Sequence, residues 1–127
     1  MQRIAFVMQV RQGQESEYRR RHQAVWPEML RALKDAGCSN YSIFMRDREL
    51  FAYMEVEDFD AFKRTLAVSE TSQRWEAQMA GIMEQAILPE TGFHELLPEV
   101  FQGAGPAVVP AGALRASAQR APRGGLG

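Results

Sequence analysis

Apolar residues alternate with the opposite face at the start of the chain. Ile4, Phe6, Met8 and Val10 share one side of an extended segment, and Ala5 and Val7 make the other side apolar too. A period of two predicts a strand over 3–10, and two apolar faces call for cover on both sides. Arg11 to Gly13 reads as a turn. From Gln14 the period changes to that of a helix with 3.6 residues per turn. Tyr18, His22, Val25, Trp26, Met29 and Leu33 fall on one side, with Arg20, Arg31, Lys34 and Asp35 on the other. The spacing predicts one long amphipathic helix over 14–37, closed by Gly37 as a C-terminal cap.

Alternation returns over Asn40 to Arg46, where Tyr41, Ile43 and Met45 oppose Ser42, Phe44 and Arg46. Asp47 to Glu49 is a polar turn, and Leu50 to Val56 comes back as a third strand. So short a connection implies an antiparallel hairpin. Asp58 to Val68 carries Phe59, Phe62 and Leu66 at helical spacing behind acidic residues that suit a first turn. Ser69 is a natural N-cap for a further helix, along which Trp75, Met79, Ile82, Met83 and Ala86 repeat until Pro89 and Gly92 end it. Phe93 to Phe101 reads as a last strand. Pro98 lacks a backbone donor, which puts that strand at an edge or makes it irregular.

The order strand, helix, strand, strand, helices, strand predicts an α+β, ferredoxin-like domain. Its sheet has four mostly antiparallel strands, with helices on one face. The second apolar face of the first strand would then be buried against another copy of the chain, in a homodimer. From Gly103 onward Gly, Ala, Pro and Arg dominate without period, so 1–102 reads as one domain and 103–127 as a disordered tail.

Composition narrows the function. At 127 residues and 46% hydrophobic content the chain affords one core. A net charge of −1 gives no electrostatic case for nucleic acid or an anionic membrane. Arg19 to Arg21 reads as a solvated flank. A single cysteine excludes an internal disulfide. The N-terminus lacks a signal-peptide pattern, and no apolar run reaches the ~18 residues of a membrane span, so the expected location is the cytoplasm. The two histidines and one cysteine show no metal-ligand spacing, and no metal site is expected. There is no phosphate loop, dinucleotide fingerprint or nucleophile elbow. His94 reads as a structural residue.

What remains is a constellation of aromatic rings and imidazole: Tyr18, His22, Tyr41 and Trp75. His22 sits in the middle of an apolar stripe. It is either a core histidine satisfied by a backbone carbonyl or a general acid/base in a pocket between helix and sheet. Trp75 likewise is either core or a platform on which a sugar ring stacks through its C–H face. An apolar pocket with a few polar groups is what a small neutral ligand needs.

Several segments carry a resemblance: Phe6-Val7-Met8-Gln9-Val10, Tyr18-Arg19-Arg20-Arg21-His22, Val25-Trp26-Pro27-Glu28, Asn40-Tyr41-Ser42-Ile43, Gln73-Arg74-Trp75 and Leu97-Pro98-Glu99-Val100-Phe101. In that order and nearly constant spacing, from about residue 3 to 102, the chain resembles the L-rhamnose mutarotase family. The resemblance implies a dimeric α/β barrel that interconverts the α and β anomers of L-rhamnopyranose without a cofactor. It puts the proton donor at His22 and sugar-binding residues at Tyr18, Tyr41 and Trp75. Glu76 stands where family members of the enterobacterial type have a second tryptophan. A carboxylate there can hydrogen-bond a hydroxyl but cannot stack, which leaves L-fucose or another deoxy-sugar open. So do two other classes: the cofactor-free monooxygenases and haem-degrading enzymes built on similar barrels, and a non-catalytic sugar-binding dimer.

Overall fold

A computed structural model describes residues 1–84 and 87–103. The elements are β1 (Gln2–Gln9), α1 (Glu15–His22), α2 (Pro27–Asp35), β2 (Cys38–Arg46), β3 (Glu49–Val56), α3 (Phe59–Ala67), α4 (Glu70–Ala80) and β4 (Glu95–Leu97). All pairings are antiparallel, in the order β2-β3-β1-β4. The α+β, four-stranded antiparallel architecture expected from the pattern is present. The tail expected over 103–127 lies, from 104 on, outside the described residues. Among those described, no helix is long and apolar enough to cross a membrane.

Register decides which side chains meet. Phe6 stands opposite Ala52 and Leu96, and Ala52 opposite Ile43, so these four share a face. That face turns to the helices and holds the core. One buried cluster joins Phe6, Ala52, Met54 and Val56 to Phe59 and Phe62 of α3. A second joins Val10 and Leu50 to Tyr18, Met79 and Ile82. Met8 and Ile43 pack against both. Fully burying an apolar side chain of this size contributes roughly 1.5–3 kcal/mol, so the helical face carries most of the driving force. On the other face, Val7 lines up with Phe51 and Phe44, and Ala5 with Tyr53 and Leu97. No helix lies on it among the described residues, and Phe44 is 66% exposed.

Three boundaries differ from the sequence expectation. The long helix over 14–37 is two helices. Pro27 starts α2, and Trp26 before it is extended at φ −57° and ψ 135°, because a residue preceding proline is driven out of the α region. Gly37 does close α2, with φ +95°, and a Cβ there would come 3.4 Å from Glu57 Cβ. The helix begun at Ser69 ends at Ala80 instead of running to Pro89. Gly81 weakens it, and the chain then pairs with the end of β1: Met83 bridges Val10, and Arg11 N donates to Ile82 O at 2.8 Å. Ala86, expected on the same helix face, is outside the described residues. The last strand is cut from Phe93–Phe101 to Glu95–Leu97. It lies at the sheet edge and stops at Pro98, which has no N–H for a ladder.

Candidate active site

The break between α1 and α2 gives the site its shape. α1 lacks a side-chain N-cap but has Glu15 and Glu17 in its first turn and Arg19, Arg20, Arg21 and His22 in its last, charges that complement the helix dipole. Glu17 accepts from both Arg20 and Arg21, the latter at 2.6 Å. Arg21 also reaches across to α4, where Nη1 donates to Gln78 O at 2.6 Å. The arginine run is thus more than a solvated flank. Arg20 faces water, while Arg21 ties the end of α1, and with it His22, to the helix that carries Trp75.

His22 is the last residue of α1. Its Nδ1 lies 3.1 Å from the backbone carbonyl of Tyr18. A carbonyl only accepts, so Nδ1 carries the proton and the neutral ring keeps a bare lone pair on Nε2. The backbone-satisfied reading of His22 is thus realised at Nδ1, and Nε2 keeps an acceptor lone pair. The ring stacks on Tyr18 with centroids 4.1 Å apart and stands at 81° to Trp75 with centroids 5.6 Å apart. Trp75 in turn packs edge-on against Trp26 at 5.2 Å. Burial pushes the His22 pKa below its ordinary value, and the hydrogen bond to Tyr18 offsets this only in part.

Between these aromatics and the sheet runs a cleft with two lobes of about 370 and 270 Å³, the scale of a small-molecule site. His22, Tyr41, Trp75, Glu76 and His94 border both lobes. Tyr18 borders the smaller one. The wider lobe extends over Val25, Met29 and Leu33 of the connection and α2. Burial raises the pKa of both Tyr18 and Tyr41, with the Glu76 carboxylate adding to each shift, so the phenols stay protonated donors at neutral pH. Glu76 itself is pushed up by desolvation. All five residues singled out in the sequence (Tyr18, His22, Tyr41, Trp75 and Glu76) meet around this one cleft. His94, read there as structural, borders it too. Among the described residues no cluster of His, Cys, Asp or Glu suits a metal ion.

The family model for L-rhamnose mutarotase matches residues 3–103. The chain belongs to the L-rhamnose mutarotase family. It is 45% identical over 86 residues to an L-rhamnose mutarotase of Listeria monocytogenes, an alignment covering 66% of this chain and 82% of that one. A crystal structure of an L-rhamnose mutarotase from Formosa agariphila superposes with a TM-score of 0.67 at 36% identity, covering 81% of this chain and 99% of the other. Tetracenomycin F2 cyclase from Streptomyces glaucescens shares the fold at a TM-score of 0.54 but only 10% identity, covering 84% of this chain and all of the other. That last likeness concerns architecture alone, and the site decides the chemistry. L-rhamnose mutarotases are carbohydrate isomerases that interconvert anomers, and this is the reaction class of the chain.

Two features of the site escaped the sequence. His94 follows Phe93 and precedes a short edge strand, so neither a period of two nor one of 3.6 assigns it a face. Trp26 was placed on a helical stripe. It packs behind Trp75 instead, as the extended N-cap of α2, with Arg74 over its ring at 5.6 Å. The signal for that was Pro27.

Proposed function

We propose that the cleft binds L-rhamnopyranose and that His22 carries the proton that opens and closes the ring. The observation that carries this reading is the 3.1 Å contact between His22 Nδ1 and the Tyr18 carbonyl, which leaves Nε2 basic in a cleft walled by Tyr18, Tyr41 and Trp75. Nε2 takes the proton of the anomeric hydroxyl. The C1–O5 bond breaks with its electron pair going to O5, and C1 becomes the aldehyde carbon. The imidazolium then gives its proton to O5. Rotation about C1–C2 and the reverse sequence on the other face yield the second anomer. The proton donor implied by the resemblance is thus the second half of one cycle, which begins with His22 as base. Trp75 offers its face to the sugar's C–H groups, and the Tyr18 and Tyr41 hydroxyls hold its oxygens. Glu76 binds a hydroxyl where a second indole would stack.

Saturation-transfer proton NMR tests the reading. Irradiating one anomeric proton of L-rhamnose should transfer saturation to the other faster with a catalytic amount of protein than without. L-fucose run in parallel ranks the sugars, and no enhancement with either would refute the assignment. The pH dependence has a definite sign. Neutral His22 starts the cycle and its pKa is lowered, so kcat/KM should hold through neutral pH. It should fall only as acid protonates the ring, below the reference value of about 6.5. Tyr18, Tyr41, Glu76 and His94 also face the cleft; the raised tyrosines do not titrate in that window, while the raised Glu76 and the lowered His94 titrate on the same acid side and leave the neutral plateau intact. An acid limb centred above the reference value would contradict the assignment of His22 as resting base.

The same reading includes a homodimer and a cytoplasmic location. What supports the dimer is the open sheet face, where Val7, Phe51 and Phe44 form an apolar row with Phe44 66% exposed. Large uncovered apolar patches mark interaction surfaces. Phe44→Glu places a charge in that row and should halve the mass found by light scattering at micromolar concentration. A wild-type mass equal to one chain would refute the dimer.

A further inference from the structure

His94 borders both lobes of the cleft yet takes no part in the proton transfer just described. Its ring lies parallel to Phe6, with centroids 5.4 Å apart and planes 8° off, and stands at 76° to Phe93 with centroids 5.2 Å apart. Its Nδ1 is buried and has no hydrogen-bond partner among the described residues. An unmet polar atom against aromatic rings is costly, and which tautomer bears it matters. Unsatisfied buried N–H groups are rarer in folded proteins than under-bonded acceptors. The proton therefore belongs on Nε2, with a lone pair on Nδ1. Desolvation lowers the pKa and keeps the ring neutral. The two histidines of the chain then differ in a way that chemistry can use. His22 is tied through Nδ1–H to Tyr18 and offers an acceptor. His94 offers a donor.

We infer that His94 is a second catalytic imidazole, whose Nε2–H hydrogen-bonds the ring oxygen of the sugar while His22 takes the anomeric proton. The inference rests on the mutarotase reading. It supplies what that cycle lacks. When C1–O5 breaks, the electron pair and negative charge go to O5 before the proton from His22 arrives. A donor already aimed at O5 stabilises that charge without reorganising. No proton leaves His94: the one removed from O1 is the one delivered to O5, and His94 ends the cycle as it began. A neutral imidazole serving as electrophile has precedent in enzymes whose histidine pKa is lowered.

The first test needs no activity. Nitrogen-15 spectra of the imidazoles in the full chain should show His22 as the Nδ1–H tautomer and His94 as the Nε2–H tautomer. His22→Ala leaves a single histidine and so assigns them. Adding L-rhamnose should shift the His94 signals. An Nδ1–H tautomer for His94, or His94 signals that ignore saturating sugar, would overturn the inference. The second test is kinetic. His94→Phe keeps the stacking on Phe6 and removes the donor, and kcat should fall ~10²–10³-fold, the usual loss for one such donor, with KM little changed. His94→Gln retains an N–H at that reach and should recover a large part of kcat. Wild-type kcat in His94→Phe, or equal losses in both folded variants, would overturn the role. Inactivity of the wild-type protein towards L-rhamnose would instead sink the reading on which the inference rests. Full activity in His94→Phe with loss in His22→Ala would sink the inference alone.

Discussion

His22→Ala is expected to slow enzyme-catalysed anomer exchange by ~10²–10⁴-fold, the usual worth of one positioned acid/base group. At about 1.4 kcal/mol per tenfold this is roughly 3–5 kcal/mol of transition-state stabilisation, on a reaction that water already performs slowly. The substitution should leave the fold in place. His22 is half-buried at the C-terminal end of α1, and alanine is a good helix former. The tie from Arg21 to Gln78 O that anchors this end of α1 does not involve the imidazole. What goes is the ring between Tyr18 and Trp75 and, with it, the only cleft nitrogen that the backbone orients as an acceptor among the described residues. Saturation transfer measures the loss, and a melting curve separates it from unfolding. Free imidazole should restore part of the exchange, because the substitution leaves a space bounded by the same aromatic walls. Wild-type exchange in a folded His22→Ala protein would remove His22 from the chemistry.

The fold was legible because its signals are periodic. Alternation placed β1 and the β2–β3 hairpin, and the N-caps of α3 and α4 fall on Asp58 and Ser69, where Asp58 Oδ1 and Ser69 Oγ accept from Ala61 N and Ser72 N. Periodicity failed where a local rule outranks it. The stripe from Tyr18 to Leu33 continues through Trp26 as if the helix did, but the proline after it forbids helical geometry. The helix bearing Trp75 has apolar spacing beyond Ala80, yet Ile82 and Met83 bury that surface by pairing with the end of β1. The site was legible in part for a related reason. Tyr18 and His22 sit one turn apart on one helix, so their meeting follows from sequence. That Tyr41, Glu76 and His94 face them across the cleft is a matter of tertiary packing, and no spacing along the chain encodes it. Residue chemistry had singled out Tyr41 and Trp75, and the resemblance gave them a sugar-binding role by position. It had nothing to say of His94, which only the geometry brings in.

Phe6→Ala is expected to be the most damaging single change to the fold, costing about 3–5 kcal/mol against the 5–15 kcal/mol that holds an ordinary domain together. Phe6 is 1% exposed and sits on β1 between β3 and β4, opposite Ala52 and Leu96. Small Ala52 leaves room for the ring, and nothing nearby is placed to refill the volume. Tyr41 at 6.2 Å, Phe93 at 4.9 Å and His94 at 5.4 Å all rest against it. Each is anchored by its own strand or turn, so the cavity cannot simply collapse. The urea midpoint should drop sharply at an unchanged slope, since the surface exposed on unfolding is nearly the same. Phe6→Leu should lose markedly less, because most of the volume is kept. Activity should fall in Phe6→Ala even under conditions where the protein is fully folded, because Tyr41 and His94 both border the cleft and both lose the surface that fixes their rings. A small midpoint shift would place the centre of the core elsewhere. A large shift with wild-type turnover in the folded protein would mean that Tyr41 and His94 keep their positions without Phe6. The fold's most buried ring and the site's sheet-side wall are, on this account, one structure, so stability and catalysis should be lost together when Phe6 is removed.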